Sequence, residues 1–255
     1  MSGRSTRFPL PLDSMGRRPE KASRAAATSP PPSGVGLDSA SVRDRMVERL
    51  CAQGLTCRPV IDALRQVPRH RFVDAALVPQ AYEDTSLPIG HGQTISKPSV
   101  VARMLSLLFE APGRAPQAVR LGRVLEIGTG CGYQAALLSR LATSVISVER
   151  LRPLHDKARD NLASVPRGNL RLVYGDGRLG HAPNAPYDAI VCAAGGEELP
   201  AAWLDQLAPG GRLVAPTLTE QGDSQVLVTV DRQQNGWSRR HHDAVHFVPL
   251  RSGTA

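Results

Sequence analysis

Aromatic residues make up only 4% of this 255-residue chain, so its core must be assembled from Val, Leu, Ile and Ala. Its four cysteines, Cys51, Cys57, Cys131 and Cys192, include no CxxC pair and no Cys/His ligand spacing. That excludes a structural zinc site and points to a reduced, cytosolic protein. His241, His242 and His246 do not make a complete ligand set, and no metal is expected. No apolar run is long enough to cross a membrane, and no apolar h-region follows the first charges, so neither an anchor nor a secretory signal is expected. Asp13, Glu20 and the missing amphipathic period speak against a transit peptide. The formal charge of +8 comes without a Lys/Arg block: the basic residues are mostly Arg, scattered among acids. Such a pattern lacks the concentrated stripe of a nucleic-acid footprint.

Against those absences, residues 1–37 carry Pro9, Pro11, Pro19 and Pro30-Pro31-Pro32 among many Ser, Arg and Ala. A segment of that composition cannot bury enough apolar surface to offset its ordering entropy, and a disordered extension is expected. Residues 38–255 are expected to form one domain, with a helical and loop subregion at 38–118 and a cofactor-binding sheet at 119–250. Asp38 or Ser39 can cap a helix with Val42, Met46, Val47 and Leu50 on one face, closed near Gly54. Further helices are expected at 59–67 and at 98–109, the latter with Val101, Met104, Leu105 and Leu108 inward. Between them lies AYEDTSLPIGHGQTISK, residues 81–97, expected to be irregular yet ordered, with Tyr82, Leu87 and Ile89 as anchors. A structureless loop that long inside a compact domain is usually functional.

The sheet is organised around Val124-Leu125-Glu126-Ile127-Gly128-Thr129-Gly130-Cys131-Gly132-Tyr133. Apolar positions running into glycines read as a buried parallel strand and a tight turn, and QAALLSRL at 134–141 reads as the helix that follows. Glycines let a ligand lie against bare backbone at a helix N-terminus. Tyr133 stands where the dinucleotide fingerprint has its last glycine, which disfavours a pyrophosphate. Glu126 precedes the turn, and Glu149 ends the next apolar run, where an acid would hold a ribose diol. Strands are expected at 170–174, ahead of Gly175-Asp176-Gly177, at 187–192 and at 212–215, with helices at 153–162 and 200–207. This alternation describes an α/β, doubly wound, mostly parallel sheet. Too few residues separate 212–215 from 225–230 for a crossover helix, and Asn235-Gly236 offers a hairpin turn. The sheet is therefore expected to end antiparallel, at 225–230 and about 237–248.

VLEIGTGCGY, Glu149 and the Gly-Asp-Gly turn resemble the Rossmann-like methyltransferases that use S-adenosyl-L-methionine. More narrowly, AYEDTSLPIGHGQTISKP, PRHRFV, YGDG, PYDAIVCAA, QLAPGGRLVAP and HFVPL resemble the protein-L-isoaspartate O-methyltransferases, over about residues 41–250. GQTIS is the specific stretch; the glycine turn is generic. Cys131 stands where that family usually has serine, Lys97 where glutamine is common, and Gly195-Gly196-Glu197-Glu198 where an Ala/Pro-rich stretch is usual. The resemblance implies methyl transfer to the free α-carboxylate of L-isoaspartyl residues in damaged proteins and peptides, starting repair through the methyl ester and a succinimide. It implies Ser96 as the catalytic position, with Thr94, Ile95 and Ser96 facing the substrate. Glu126, Gly128, Thr129, Gly130, Gly132, Glu149, Asp176 and Gly177 would hold the cofactor, Glu149 at the ribose and Asp176 at the adenine amino group. The expected partners are isoaspartyl proteins and peptides, with neither nucleic acid nor membrane, and the expected state is a cytoplasmic monomer.

The acceptor chemistry agrees with the lack of a convincing acid/base dyad. A carboxylate is already ionised at neutral pH and needs no general base. Alignment of acceptor oxygen, methyl carbon and sulfur is what remains, and positioning can contribute ~7–11 kcal/mol. Other readings are a methyltransferase acting on another carboxylate, a small molecule or nucleic acid, and a non-catalytic module that kept the cofactor fold. Amino-directed nucleic-acid methyltransferases carry an Asp/Asn-Pro-Pro-aromatic stretch where this chain has Ala193-Ala194-Gly195-Gly196, and the cytosine-C5 class needs a Pro-Cys pair, whereas Cys192 follows Val191. A binding module gives no reason for Ser96 and Glu149 to occur together. Cys131 has no neighbouring His in sequence and is a poor nucleophile candidate. Ser96 could instead cap the helix that starts at Pro98, and Asp176 could be a turn former with a local Asx bond.

Overall fold

The computed structural model describes residues 40–115, 117–165, 168–219, 221–222 and 224–255. The extension at 1–37 and the cap at Asp38 or Ser39 lie outside the described residues. Helices α1 (Ala40–Ala52), α2 (Arg58–Gln66) and α3 (Pro98–Phe109) bury Met46, Val47 and Leu50; Val60, Ile61 and Leu64; and Val101, Met104, Leu105 and Leu108, while Val42, expected on the same face of α1, is only partly buried. A fully buried Leu of this kind stabilises by roughly 1.5–3 kcal/mol.

The 81–97 stretch differs from expectation. It is ordered, but as a hairpin of β1 (Leu87–Gly90) and β2 (Gln93–Ile95) rather than an irregular loop. His91 and Gly92 have φ of 54° and 67°, the pair of positive angles that a two-residue hairpin turn needs. The turn is built on His-Gly instead of Asn-Gly, which hides it from a reading of turn residues.

The main sheet comprises β3 (Leu121–Ile127), β4 (Ala142–Glu149), β5 (Leu170–Tyr174), β6 (Tyr187–Cys192), β7 (Leu207–Leu218), β8 (Gln225–Gln233) and β9 (Gly236–Val245). Their order is β5-β4-β3-β6-β7-β8-β9. Pairs from β5 to β7 are parallel; β7–β8 and β8–β9 are antiparallel, as the short connections require. Helices α4 (Tyr133–Leu141), α5 (Arg152–Asn161) and α6 (Ala201–Gln206) follow β3, β4 and β6. Val124, Val145, Ala189 and Val214 face one apolar cluster, with α1 to α4. Leu125, Ile127, Ile146, Ile190 and Leu213 face the other, closed by Trp203 of α6. β7 is longer than its expected 212–215. Its antiparallel join to β8 is pinned by directly opposed Arg212 and Asp231, both buried and bonded through two contacts at 2.6 and 2.8 Å. Arg212 also donates to the Leu107 carbonyl at 2.8 Å, tying α3 to the same join.

After β3 the chain runs outward to β4 and β5, then returns to lay β6 and β7 on the other side. The carboxyl end of β3 is thus the switch point, where sheets of this kind bind ligands.

Candidate active site

At that switch point Gly128, Thr129, Gly130, Cys131 and Gly132 turn the chain from β3 into α4, and a cleft opens there with about 890 Å³ of empty space, part of it open to solvent. Gly128, Thr129 and Gly130 line it. Gly132 does not line it: it is buried with φ of 90°, and a Cβ there would stand 3.0 Å from Leu162. The third glycine of the motif therefore serves the packing of α4 on α5. Gly130 N donates to Glu149 Oε2 at 2.9 Å, and Glu149 Oε1 accepts from Leu151 N at 2.9 Å. The Glu149 carboxylate lines the cleft while bracing the turn against the start of α5. A carboxylate has about four acceptor sites, so capacity remains for a diol.

Glu126 lies one layer below. It is fully buried and outside the cleft lining, directly opposite Ser147 in the sheet. Thr129 Oγ1 bonds Ser147 Oγ at 2.6 Å, and Ser147 donates in turn to Glu126 Oε2. Glu126 thus supports the turn through two hydroxyls. Burial pushes its carboxyl up to about 8, against the lowering effect of the Ser147 bond. Its Oε1 has no hydrogen-bond partner among the described residues. Burial likewise pushes the Cys131 thiol up to about 11, so it remains a thiol at neutral pH.

The hairpin forms the opposite wall. Ile95 is buried, Thr94 exposed and Ser96 half-buried, and all three line the cleft. The Ser96 hydroxyl makes no hydrogen bond among the described residues. It does not cap α3: Asp84 Oδ1 accepts from Ser99 N at 2.8 Å instead. Ser96 also borders a second groove, between Ser86, Lys97 and Val100 on one side and Val245 and Phe247 on the other.

Residues of the PRHRFV stretch, given no role by sequence reasoning, hold this wall in place. Buried Arg69 donates to the carbonyls of Ala81 at 2.9 Å and Thr85 at 3.4 Å, and its guanidinium lies 5.0 Å from the Tyr133 ring centroid. Tyr133 packs edge-on against Phe72 at 5.5 Å. The residue that replaces a fingerprint glycine therefore links the turn to the base of the hairpin. Burial lowers the Arg69 pKa from its ordinary value. Lys157 Nζ bonds the Ile89 carbonyl at 3.0 Å from the α5 side.

Gly177 lines the cleft, and Trp203 Nε1 donates to its carbonyl at 2.7 Å. Asp176 is not in the lining; Oδ1 accepts from Arg178 N at 2.8 Å, the local bond of a turn former, and Oδ2 from Gly253 N at 2.6 Å. Val248, Pro249, Leu250 and Arg251, also missed from sequence, close the cleft beside Ala193 and Ala194. They dock through Gly195 N to Val248 O at 2.8 Å and Leu250 N to Gly195 O at 2.7 Å. A Cβ on Gly195 would stand 2.4 Å from Gln225 Nε2, and the Gln225 amide brackets the Phe247 backbone at 2.7 and 3.2 Å. The absence of a side chain at Gly195 leaves room for the Gln225 amide in this position. His242 bonds Thr229 Oγ1 at 3.0 Å, and no group of three or more His, Cys, Asp or Glu among the described residues could hold a metal.

The family model described as protein-L-isoaspartate(D-aspartate) O-methyltransferase (PCMT) matches residues 41–255. A Methylibium petroleiphilum protein-L-isoaspartate O-methyltransferase is 58% identical over 265 aligned positions, covering 97% of this chain and 96% of that protein. One from Leptothrix cholodnii is 64% identical over 223 positions, 87% of this chain and 77% of that protein. Among solved structures, a protein-L-isoaspartate O-methyltransferase superposes with a TM-score of 0.71 at 27% identity, over 81% of this chain and 65% of that one. A Plasmodium falciparum protein described as a putative protein-L-isoaspartate O-methyltransferase, in complex with S-adenosyl-L-homocysteine, gives 0.68 at 25% identity, over 82% of this chain and 98% of that one.

Proposed function

The chain belongs to the protein-L-isoaspartate(D-aspartate) O-methyltransferase family, and from that premise we propose which residues carry its methyl transfer. It methylates the free α-carboxylate of L-isoaspartyl residues with S-adenosyl-L-methionine, the step that starts repair of the damaged linkage. The cofactor, when bound, supplies a sulfonium methyl open to in-line displacement by a carboxylate oxygen. Its fit rests on features of this chain: bare backbone at Gly128 and Gly130, and a buried carboxylate at the end of β4 with acceptor sites to spare. A Cβ on Gly130 would stand 3.2 Å from Ile89 Cδ1, so the turn comes close to the hairpin here.

Ser96 is the residue assigned to the acceptor. The observation that carries the assignment is its unbonded hydroxyl on the wall shared by the cofactor cleft and the second groove. A peptide in that groove presents its α-carboxylate to Ser96 from the side opposite the cofactor. Ser96 donates one hydrogen bond to the carboxylate and turns a lone pair of the other oxygen toward the cleft. Thr94 and Ile95 shape the same wall, and Glu126 and Gly132 act from beneath the turn. No proton needs to be taken from an ionised carboxylate, which agrees with a cleft wall that presents no general base at Ser96. Because isoaspartate displaces its free carboxylate by one methylene, a grip fixed in space separates it from ordinary aspartate; about 1 Å of misplacement can cost on the order of 100-fold. Four free thiols, two of them buried, support a reduced cytoplasmic setting. The enzyme is read as a monomer that does not engage nucleic acid, its basic residues being dispersed.

The test is methyl-ester formation on an isoaspartyl peptide against its aspartyl twin, at saturating cofactor, for the wild type and Ser96→Ala. Loss of one hydrogen bond to an anion predicts a fall of about ten- to a hundredfold, with cofactor affinity retained. Wild-type rates in the variant would leave the orientation of the carboxylate to the hairpin backbone.

A further inference from the structure

Lys97 stands where the fold gives a lysine no reward. It immediately precedes Pro98, the first residue of α3, and its carbonyl accepts from Val100 N and Val101 N at 3.2 Å each. Such a cap position favours Ser, Thr, Asp or Asn, whose side-chain oxygen can accept from the first turn, and a cation there opposes the helix dipole. The missing acceptor comes from elsewhere: Asp84 Oδ1 takes the Ser99 N–H at 2.8 Å. The Lys97 side chain is exposed and makes neither a hydrogen bond nor an ion pair among the described residues. What it does is line the second groove.

That groove lacks a countercharge. Val100, Val245 and Phe247 give it apolar surface, His246 is its other titratable side chain, and no acid lines it. On the neighbouring elements, Asp84 is engaged with Ser99, while Asp243 at the end of β9 pairs with Arg103 at 3.4 Å, and Arg103 also holds Glu110 at 3.1 Å. Ser96 borders both the cleft and the groove, whereas Lys97 borders the groove alone. A peptide whose isoaspartyl carboxylate sits at Ser96 therefore passes one uncompensated cation on its way out. An extended peptide rises about 3.3 Å per residue, so a flexible four-carbon stem reaches side chains within about two positions of the one at Ser96. We infer that Lys97 is a specificity-determining residue, selecting isoaspartyl peptides that carry Asp or Glu within two positions of the damaged linkage. The inference rests on the reading of Ser96 above. Its ammonium pairs with an acidic flank and repels a basic one, and because the pair is open to solvent the effect is modest and screened by salt.

The experiment measures methyl-ester formation on isoaspartyl peptides in which one of the two positions on either side of the linkage is Glu, Gln or Lys. It compares the wild type, Lys97→Gln, Lys97→Glu and Ser96→Ala. In the wild type, kcat/KM at the favoured position ranks Glu above Gln above Lys, with Glu ahead of Gln by about two- to fivefold. The difference lies in KM and shrinks at about 0.5 M salt. The ranking flattens in Lys97→Gln and reverses in Lys97→Glu, a substitution that places an acid where the helix dipole favours one. Calorimetric affinity for S-adenosyl-L-homocysteine is retained in both, which separates the effect from damage to the cleft. A wild type that treats Glu and Gln alike at all four positions would overturn the inference. So would a preference for Glu that persists in Lys97→Glu, since another cation would then supply it. Either result alongside a slow Ser96→Ala enzyme overturns the role of Lys97 alone, whereas wild-type rates in Ser96→Ala overturn the reading of Ser96 on which that role rests.

Discussion

Glu126→Gln should change how stability depends on pH while leaving the fold intact. The carboxyl is fully buried and held up to about 8 by desolvation, against an ordinary value of 4.5. An acid whose folded pKa is raised keeps its proton in the native state while the unfolded chain has already lost it. Between pH 4.5 and 8 the native state therefore binds more protons, and stability falls as pH rises through that window. At 1.36 kcal/mol per pH unit the whole span is worth about 5 kcal/mol, a ceiling because water penetration and relaxation reduce it. Gln cannot ionise and has nearly the same volume. The difference in unfolding free energy between Glu126→Gln and wild type, from urea titrations at pH 5, 6, 7, 8 and 9, should grow in the variant's favour by up to about 1 kcal/mol per unit and level off above pH 8. Titrations of groups remote from Glu126 cancel in that difference. Parallel stability curves would refute the account, since they require Glu126 to titrate alike in both states.

Three further outcomes follow from the geometry. Glu149→Ala should weaken S-adenosyl-L-homocysteine binding by ~1–3 kcal/mol in calorimetry, because the variant loses both the brace on Gly130 and the acceptor expected at the ribose. Asp231→Ala strands the Arg212 guanidinium in the core and should destabilise the protein by about 3–5 kcal/mol in chemical denaturation. Arg69→Met should release the carbonyls of Ala81 and Thr85, lowering methyl-ester formation and exposing the hairpin to limited proteolysis while calorimetric cofactor affinity stays within about threefold.

The sheet was readable from sequence because buried parallel strands announce themselves as apolar runs, and because too short a connection forbids a parallel neighbour, as between β7 and β8. Spacing also located the end of the sheet at which the cleft opens. What spacing does not encode is the layer a side chain occupies. Gly128 and Gly132 belong to one motif, yet one faces the cleft and the other packs on Leu162. Glu126 and Glu149 are both acids at strand ends, yet Glu126 holds the turn from below through Ser147 and Thr129. The hairpin escaped notice because His-Gly serves as its turn.

The residues sequence reasoning missed share one property: they act across long separations in the chain. Arg69 reaches the loop 12 and 16 positions away, and Gly253 reaches back to Asp176 across 77. Methyl transfer to an ionised carboxylate asks little of proton chemistry and much of alignment. On the assignment proposed above, the groups that matter to the rate include those that hold the hairpin bearing Ser96 beside the turn. Such groups carry no catalytic motif, because their chemistry is the ordinary chemistry of backbone carbonyls and amides. Only the folded chain brings Arg69 under the hairpin and Gly253 onto Asp176, so the alignment the reaction depends on is a property of tertiary contacts rather than of any stretch.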